Sequence, residues 1–247
     1  MKLSVVIPCY NEASRGNFKK RIEGVLKYLK ECESISSFEV ICVNDGSTDD
    51  TLNILQNFGN SIILISHNNR GKGYSLKRGF EICTGELCLM MDADLSVPLE
   101  YIEQFYLELR ENKNLALIGS RRCDGAQILN EQSAIRRFIG KISRFITQKI
   151  LGLDIIDTQC GFKMMRTKYV NNTIDKIHSN RWLFDIELLL YLQEQGIKLK
   201  ETPVSWGTEL ESTLNSFSAL ITSAYELIII LITSKKNRIE VKKNEDK

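Results

Sequence analysis

The chain has 247 residues, 43% hydrophobic and 26% charged, enough apolar material for a core and too ordinary a mixture for a disordered or collagen-like chain. Lysine and arginine number 33 against 31 acidic residues, so a net charge of +2 supplies no global field for nucleic acid, and any basic function is local. Two histidines and seven scattered cysteines with no C-x-x-C pair give zinc sites and Ser-His-Asp chemistry little to work with; the cysteines read as reduced small hydrophobes.

The first eight residues carry one lysine and then an alternating apolar strand, without the length or cleavage site of a signal peptide, which predicts a cytoplasmic protein. Apolar runs at 3–7, 38–43, 62–65 and 87–91 predict strands, and helix-length segments at 18–31, 49–58 and 73–83 follow the first three. Short strands alternating with helices predict an α/β fold, and near-continuous apolar strands a mostly parallel sheet with helices on both faces. From about residue 130 the pattern changes to a basic helix, then the segment 157–165, a helix at 183–195 and a last strand at 198–204. The simplest division is one α/β domain at 1–212 and an amphipathic helix with a basic tail at 213–247.

Three strands end in polar tips, where ligands sit on an open α/β sheet: Pro8-Cys9-Tyr10-Asn11-Glu12, Asn44-Asp45-Gly46-Ser47 and Asp92-Ala93-Asp94. In extended chain, residues i and i+2 share a side, so Asp92 and Asp94 can address one ligand. Hard cations such as Mg²⁺ or Mn²⁺ take carboxylate oxygens and share their other positions with phosphates and water. Asp45 either accepts the ring N–H of uracil or guanine or only shapes its turn, where Gly46 permits tight geometry and Ser47 or Asp49 caps the next helix. Arg70-Gly71-Lys72-Gly73 opens the third helix, a place that favours anions, although it is no P-loop. Gly119-Ser120-Arg121 ends another apolar run; Arg121 is either a bidentate phosphate clamp or a surface arginine.

Taken together, Val5-Val6-Ile7-Pro8-Cys9-Tyr10-Asn11-Glu12, Val43-Asn44-Asp45-Gly46-Ser47-Thr48-Asp49, Asp92-Ala93-Asp94 and Gly119-Ser120-Arg121 resemble the inverting family 2 glycosyltransferases of GT-A fold, in order and spacing over residues 3–206. The segments 70–73, Asp157-Thr158-Gln159-Cys160-Gly161-Phe162-Lys163 and Arg181-Trp182-Leu183-Phe184-Asp185-Ile186-Glu187 are similar to the polyprenyl-phosphate branch, particularly the dolichyl-phosphate glucosyltransferases. The resemblance implies hexose transfer from a nucleotide sugar to a polyisoprenyl phosphate, with glucose from UDP-glucose the expected donor. It implies that Pro8, Tyr10, Glu12, Asp45, Lys72, Asp92 and Asp94 line the nucleotide site, with Asp94 on the metal. Asn11, Gly46, Ala93, Gln159 and Asp185 complete the candidate set from the same motifs. Ser96 stands where some relatives supply another metal ligand.

A basic amphipathic segment from Ile135, with Arg137, Lys141, Arg144 and Gln148 on one side and Phe138, Ile142 and Phe145 on the other, suits a membrane interface. A second apolar stretch, 217–234, carries Ser218, Thr222 and Glu226 on one stripe and is followed by Lys235, Lys236 and Arg238. Glu226 would be costly in a membrane span, so the stretch is expected to lie on the membrane or against a partner, a small membrane subunit or a second copy. The expected location is peripheral, on the cytosolic face. A phosphate monoester is already anionic at neutral pH, so its attack needs orientation and charge compensation more than a base. Arg121, Arg136 and Arg137 are the candidates for holding that phosphate. A saccharide acceptor would instead need a general base, for which Asp157 and Asp185 are the candidates, although both positions also suit a turn and a helix start. A noncatalytic nucleotide-sugar binder and a nucleotidyltransferase are the readings from other classes.

Overall fold

The four apolar runs become adjacent strands on one side of a seven-stranded sheet. In the computed structural model, which describes residues 1–128, 144–207 and 226–232, the strands are β1 (Leu3–Cys9), β2 (Phe38–Asp45), β3 (Ile63–His67), β4 (Leu87–Met91), β5 (Leu115–Ser120), β7 (Phe162–Arg166) and β8 (Lys198–Pro203). Their spatial order is β3-β2-β1-β4-β7-β5-β8, and a short pair, β6 (Gln127–Ile128) with β9 (Ser205–Trp206), lies apart. All pairs in the large sheet are parallel except those of β7, which runs antiparallel to both β4 and β5.

Alternation sends odd and even residues to two cores. Leu3, Val5 and Ile7 of β1 and Leu87, Leu89 and Met91 of β4 face one cluster, whereas Val6, Cys88 and Met90 face the other. On the first face lie α1 (Phe18–Glu31) and α4 (Glu100–Glu111); on the second lie α3 (Lys72–Glu81) and α6 (Phe184–Glu194). Helix α1 buries Phe18, Ile22, Val25, Leu26 and Leu29, spaced as one helical face, each contributing about 1.5–3 kcal/mol. Two further helices, α2 (Thr51–Gln56) and α5 (Thr167–Asn171), are short.

Two expectations are corrected. The helix expected at 49–58 shortens because Asp49 lies ahead of it, accepting the N–H groups of Thr51 at 3.0 Å and Ser14 at 2.8 Å. Asp49 rather than Ser47 therefore holds the helix start; the Ser47 hydroxyl instead accepts the Asn11 N–H at 3.0 Å. The segment 157–165 runs into β7, whose second residue Lys163 is wholly buried. Of the stretch 217–234, residues 226–232 are described and helical, and among the described residues no helix is long and apolar enough to cross a membrane. All seven cysteines are free thiols.

Glu39 ties β2 to the start of β1 and the loop before β4. Its carboxylate accepts from the Lys2 ammonium at 2.7 Å and from the Thr84 N–H at 2.7 Å and hydroxyl at 2.8 Å. Burial pushes this carboxyl upward, but Lys2, Ser4 and Thr84 outweigh it and hold it at about 2, from 4.5. A depressed carboxyl adds stability above its unfolded value and loses it as the pH falls through the folded one. Glu39→Gln should therefore cost roughly 3 kcal/mol at pH 7, with the difference closing between about pH 4.5 and 2. Denaturant unfolding at pH 7 and pH 3 measures this; an equal loss at both would refute it.

Candidate active site

The sheet register brings the polar tips to one edge. Cys9 pairs with Asn44 and Asp45 with His67, while Val6 opposite Met90 sets the end of β1 beside the end of β4. Because β7 runs antiparallel, Phe162 stands opposite Met91, and the turn 157–161 arrives at the same edge. Arg121 follows β5 there, and Gly71 and Lys72 open α3 just after β3.

The β1 tip is locked to the β2 tip by polar side chains. Asn11, left-handed at φ 53°, accepts the Thr48 N–H at 2.8 Å through its side-chain oxygen, and the Glu12 N–H donates to Thr51 Oγ1 at 2.8 Å. Pro8 is half-buried, and Tyr10 leaves the tip exposed. Glu12 is buried against Arg15 at 3.1 Å and Arg21 at 3.3 Å, and Arg21 also donates to the Ala93 carbonyl at 2.9 Å. Burial pushes the Glu12 carboxyl up to about 7 against the pull of both arginines, with Asp94 and Asp92 adding to the rise.

Asp45 grips the loop that opens α3: Oδ1 accepts the Arg70 N–H at 2.7 Å and Oδ2 the Gly71 N–H at 2.9 Å. Gly46, at φ 66°, has no room for a side chain, since a Cβ would lie 2.4 Å from the Asn69 nitrogen. The loop ends in Lys72, whose ammonium sits 2.6 Å from Asp92 Oδ1. Burial alone would lower Lys72, but Asp92 and Asp185 outweigh it and hold it well above the ordinary lysine value.

Asp92 and Asp94 occupy a tight turn after β4. Leu95 is left-handed at φ 52°, its N–H bonds the Asp92 carbonyl at 3.3 Å, and the Ser96 N–H bonds Asp94 Oδ1 at 3.0 Å. A branched residue in that region is strained by roughly 1–2 kcal/mol, and such strain collects at functional sites. Ala93, 3% exposed, packs into the core and leaves its two neighbours to face outward. Burial and then Asp92 push the Asp94 carboxyl above its ordinary value. Among the described residues no three His, Cys, Asp or Glu side chains assemble into a metal cage. Two hard carboxylates and an open side nevertheless fit a Mg²⁺- or Mn²⁺-type ion, which keeps waters and takes substrate phosphates instead of a full protein shell.

Across the crevice, the arginine expected to clamp a phosphate is already engaged. Arg121 Nε and Nη2 meet the two oxygens of Asp157 at 2.7 and 2.8 Å, the Arg121 N–H adds a third bond at 2.9 Å, and the Trp206 ring lies 5.4 Å away. Burial raises the Asp157 carboxyl, yet Arg121 outweighs it and leaves it below the ordinary range. Asp185 is likewise buried against the Lys163 ammonium, which also donates to the Cys160 carbonyl at 2.6 Å. Gln159 is exposed and donates to the Trp182 carbonyl at 3.3 Å, and Trp182 is half-buried rather than part of the core. Arg136 and Arg137 lie outside the described residues.

The family model described as "Glycosyl transferase family 2" matches residues 4–173, more than half of the chain. The chain belongs to glycosyl transferase family 2. It is 30% identical over 242 residues to the dolichyl-phosphate beta-glucosyltransferase of Dictyostelium discoideum, covering 92% of this chain and 73% of that one. Among solved structures, Mycobacterium tuberculosis glucosyl-3-phosphoglycerate synthase in complex with Mn²⁺, UDP-glucose and glycerol 3-phosphate aligns with a TM-score of 0.67 at 14% identity, over 94% of this chain and 79% of that one. The S. aureus TarS 1–349 structure aligns with a TM-score of 0.57 at 19% identity, over 83% of this chain and 59% of that one. These likenesses place the family 2 chain in the GT-A fold.

Sequence reasoning missed three contributors to this family 2 site: Arg21, which joins two strand tips; Lys163, buried under Asp185; and Gly161. A Cβ at Gly161 would fall 1.9 Å from Asp92 Oδ2, while its carbonyl accepts the Asp92 N–H at 3.1 Å. Gly161→Ala should fold, because its backbone is not left-handed, but must push the Asp92 carboxylate aside. Turnover is expected to fall ~100-fold while stability changes by less than ~1 kcal/mol. Steady-state kinetics beside a melting curve checks this; normal turnover would contradict the packing.

Proposed function

We propose that this family 2 glycosyltransferase is an inverting, divalent-cation-dependent enzyme that moves glucose from UDP-glucose onto a polyprenyl phosphate at the cytosolic membrane face. The observation that carries the acceptor is the state of the two candidate bases. Asp157 is held by Arg121 and Asp185 by Lys163, so neither is free to deprotonate a sugar hydroxyl, whereas a phosphate needs no such help. The name of the Dictyostelium relative supports the lipid acceptor and the β product, and the Mn²⁺ and UDP-glucose of the mycobacterial complex support the donor and cofactor.

Asp92 and Asp94 would hold the cation, which when bound offsets the charge that grows on the leaving diphosphate. Lys72, freed from Asp92 as the donor enters, turns its ammonium to the same diphosphate. Tyr10 and the Asp45 turn flank the nucleoside, with Asn11, Glu12 and Gly46 fixing their positions. An acceptor phosphate oxygen attacks the anomeric carbon opposite the diphosphate, so the α donor gives a β-linked product by single displacement. Arg136 and Arg137 are the proposed holders of the acceptor phosphate; Arg121 moves from that role to holding Asp157. Exposed Phe145, Ile150, Ile228 and Ile232 support a membrane-facing surface, in which residues 213–247 are the proposed seat beside a catalytic unit of 1–212.

A panel of UDP- and GDP-hexoses with a short polyprenyl phosphate, read by product mass with Mg²⁺, Mn²⁺ or chelator, tests the donor and the cation. Glucosyl lipid phosphate from UDP-glucose alone, abolished by chelator, is expected. Formation of UDP-glucose and pyrophosphate from added UTP and glucose 1-phosphate, with no transfer from UDP-glucose, would mark a nucleotidyltransferase and overturn the reading.

A further inference from the structure

Two buried carboxylates from separate elements grip one stretch of backbone, 178–183, that the transfer chemistry leaves unexplained. Glu187, in the first turn of α6, accepts the N–H groups of His178 at 3.0 Å and Ser179 at 2.8 Å. Glu226, in the helical segment 226–232, accepts those of Asn180 at 3.1 Å and Arg181 at 2.9 Å on Oε1, and of Leu183 at 3.1 Å on Oε2. Neighbouring backbone N–H groups that converge in this way form a concavity for an anion. Here the anion is a side chain 43 to 46 residues further along, only 6% exposed.

The other side of the stretch rests on the donor loop. The Asn180 carbonyl accepts the Tyr74 N–H at 2.9 Å. A Cβ at Gly71 would lie 2.6 Å from that carbonyl oxygen, and one at Gly73 would lie 2.7 Å from Phe184 Cβ. The loop backbone thus packs directly on the Asn180 carbonyl and on the Arg181 and Phe184 side chains, and Lys72 stands between the two glycines with its ammonium on Asp92.

We propose that Glu226 is a positioning residue for the donor site: it fixes the strap 178–183 against the loop 71–73 and thereby sets the Lys72 ammonium beside Asp92 and Asp94. The inference rests on the reading of Lys72, Asp92 and Asp94 as the donor diphosphate site. It makes the segment 226–232, beyond the residues 4–173 that the family model matches, a working part of that site.

The test uses the full chain with UDP-glucose, MnCl₂ and a short polyprenyl phosphate. Glu226→Gln keeps the size of the side chain but turns an amide toward a backbone N–H. It should raise the KM for UDP-glucose ~10-fold and leave the acceptor KM within about twofold. Val25→Ala, a core change in α1 distant from the strap, controls for lost stability and should leave the donor KM unchanged at a temperature where it is folded. In a Lys72→Met background, Glu226→Gln should add less than about twofold, because both act through one ammonium. A donor KM equal to wild type in Glu226→Gln, full additivity with Lys72→Met, or the same KM rise in Val25→Ala would each overturn the proposal. Glu226→Ala should exceed Glu226→Gln; if it does not fold, the glutamine variant and its cycle decide. A wild type that transfers nothing from UDP-glucose overturns the donor reading itself, and is recognised because it fails before any variant is compared.

Discussion

Asp94→Asn is expected to lower kcat by ~10³-fold or more, equivalent to about 4 kcal/mol of transition-state stabilisation, without destabilising the ligand-free fold. The carboxylate is half-buried beside Asp92, and burial and Asp92 both push its pKa up, so the folded chain holds this charge at a cost. The sign follows from proton linkage: a raised acid destabilises the folded state above its unfolded value of about 3.9, and fully once the pH exceeds the folded one. Asparagine removes that cost, so its melting temperature should equal or exceed wild type at pH 8, with no such gain near pH 3. Wild type should gain stability with Mn²⁺ and the variant should not. Melting curves with and without the ion, beside single-turnover kinetics, make the comparison; an equal shift in both proteins would remove Asp94 from the cation site.

Arg121→Ala should be the more damaging change to the fold. It strips two of the three donors from Asp157, which is 4% exposed, and leaves a buried charge uncompensated. Breaking such a pair costs roughly 3–5 kcal/mol, a fall in melting temperature of about 10 °C for a chain of this size. Since Arg121 holds the Asp157 carboxyl below its ordinary range, the stability it supplies is present above pH ~3.9 and declines as the pH falls through the folded value. The Arg121→Ala defect should therefore shrink in acid, and Arg121→Ala with Asp157→Ala should cost less than the sum of the two. Denaturant melts at pH 7 and pH 3 read both effects. Additive losses with no pH dependence would return Arg121 to the role of a phosphate clamp.

Much of the donor side is legible in the sequence. A parallel strand buried on both faces is written as a largely apolar run, so the polar residues that follow it mark the edge where the strand tips gather, as at Asn11, Asp45 and Asp92. Sequence could not show which acids are already engaged. Arg121 and Asp157 are 36 residues apart, Lys163 and Asp185 are 22 apart, and antiparallel β7 brings those groups together. Lys163 within an apolar segment reads as a break in a strand; the Asp185 carboxylate and the Cys160 carbonyl that take its ammonium make the strand tolerable. Glu226 likewise reads as a fault in an apolar helix until the three N–H groups it accepts are seen.

The fate of labelled glucose tests most directly whether hexose passes to a lipid phosphate without a general base. With UDP-[¹⁴C]glucose, MnCl₂ and a short polyprenyl phosphate, label should move into a chloroform-soluble, acid-labile product of β configuration, and Asp94→Asn should leave it in the aqueous phase. Label transferred only to a water-soluble saccharide, with none in the lipid fraction, would contradict the account.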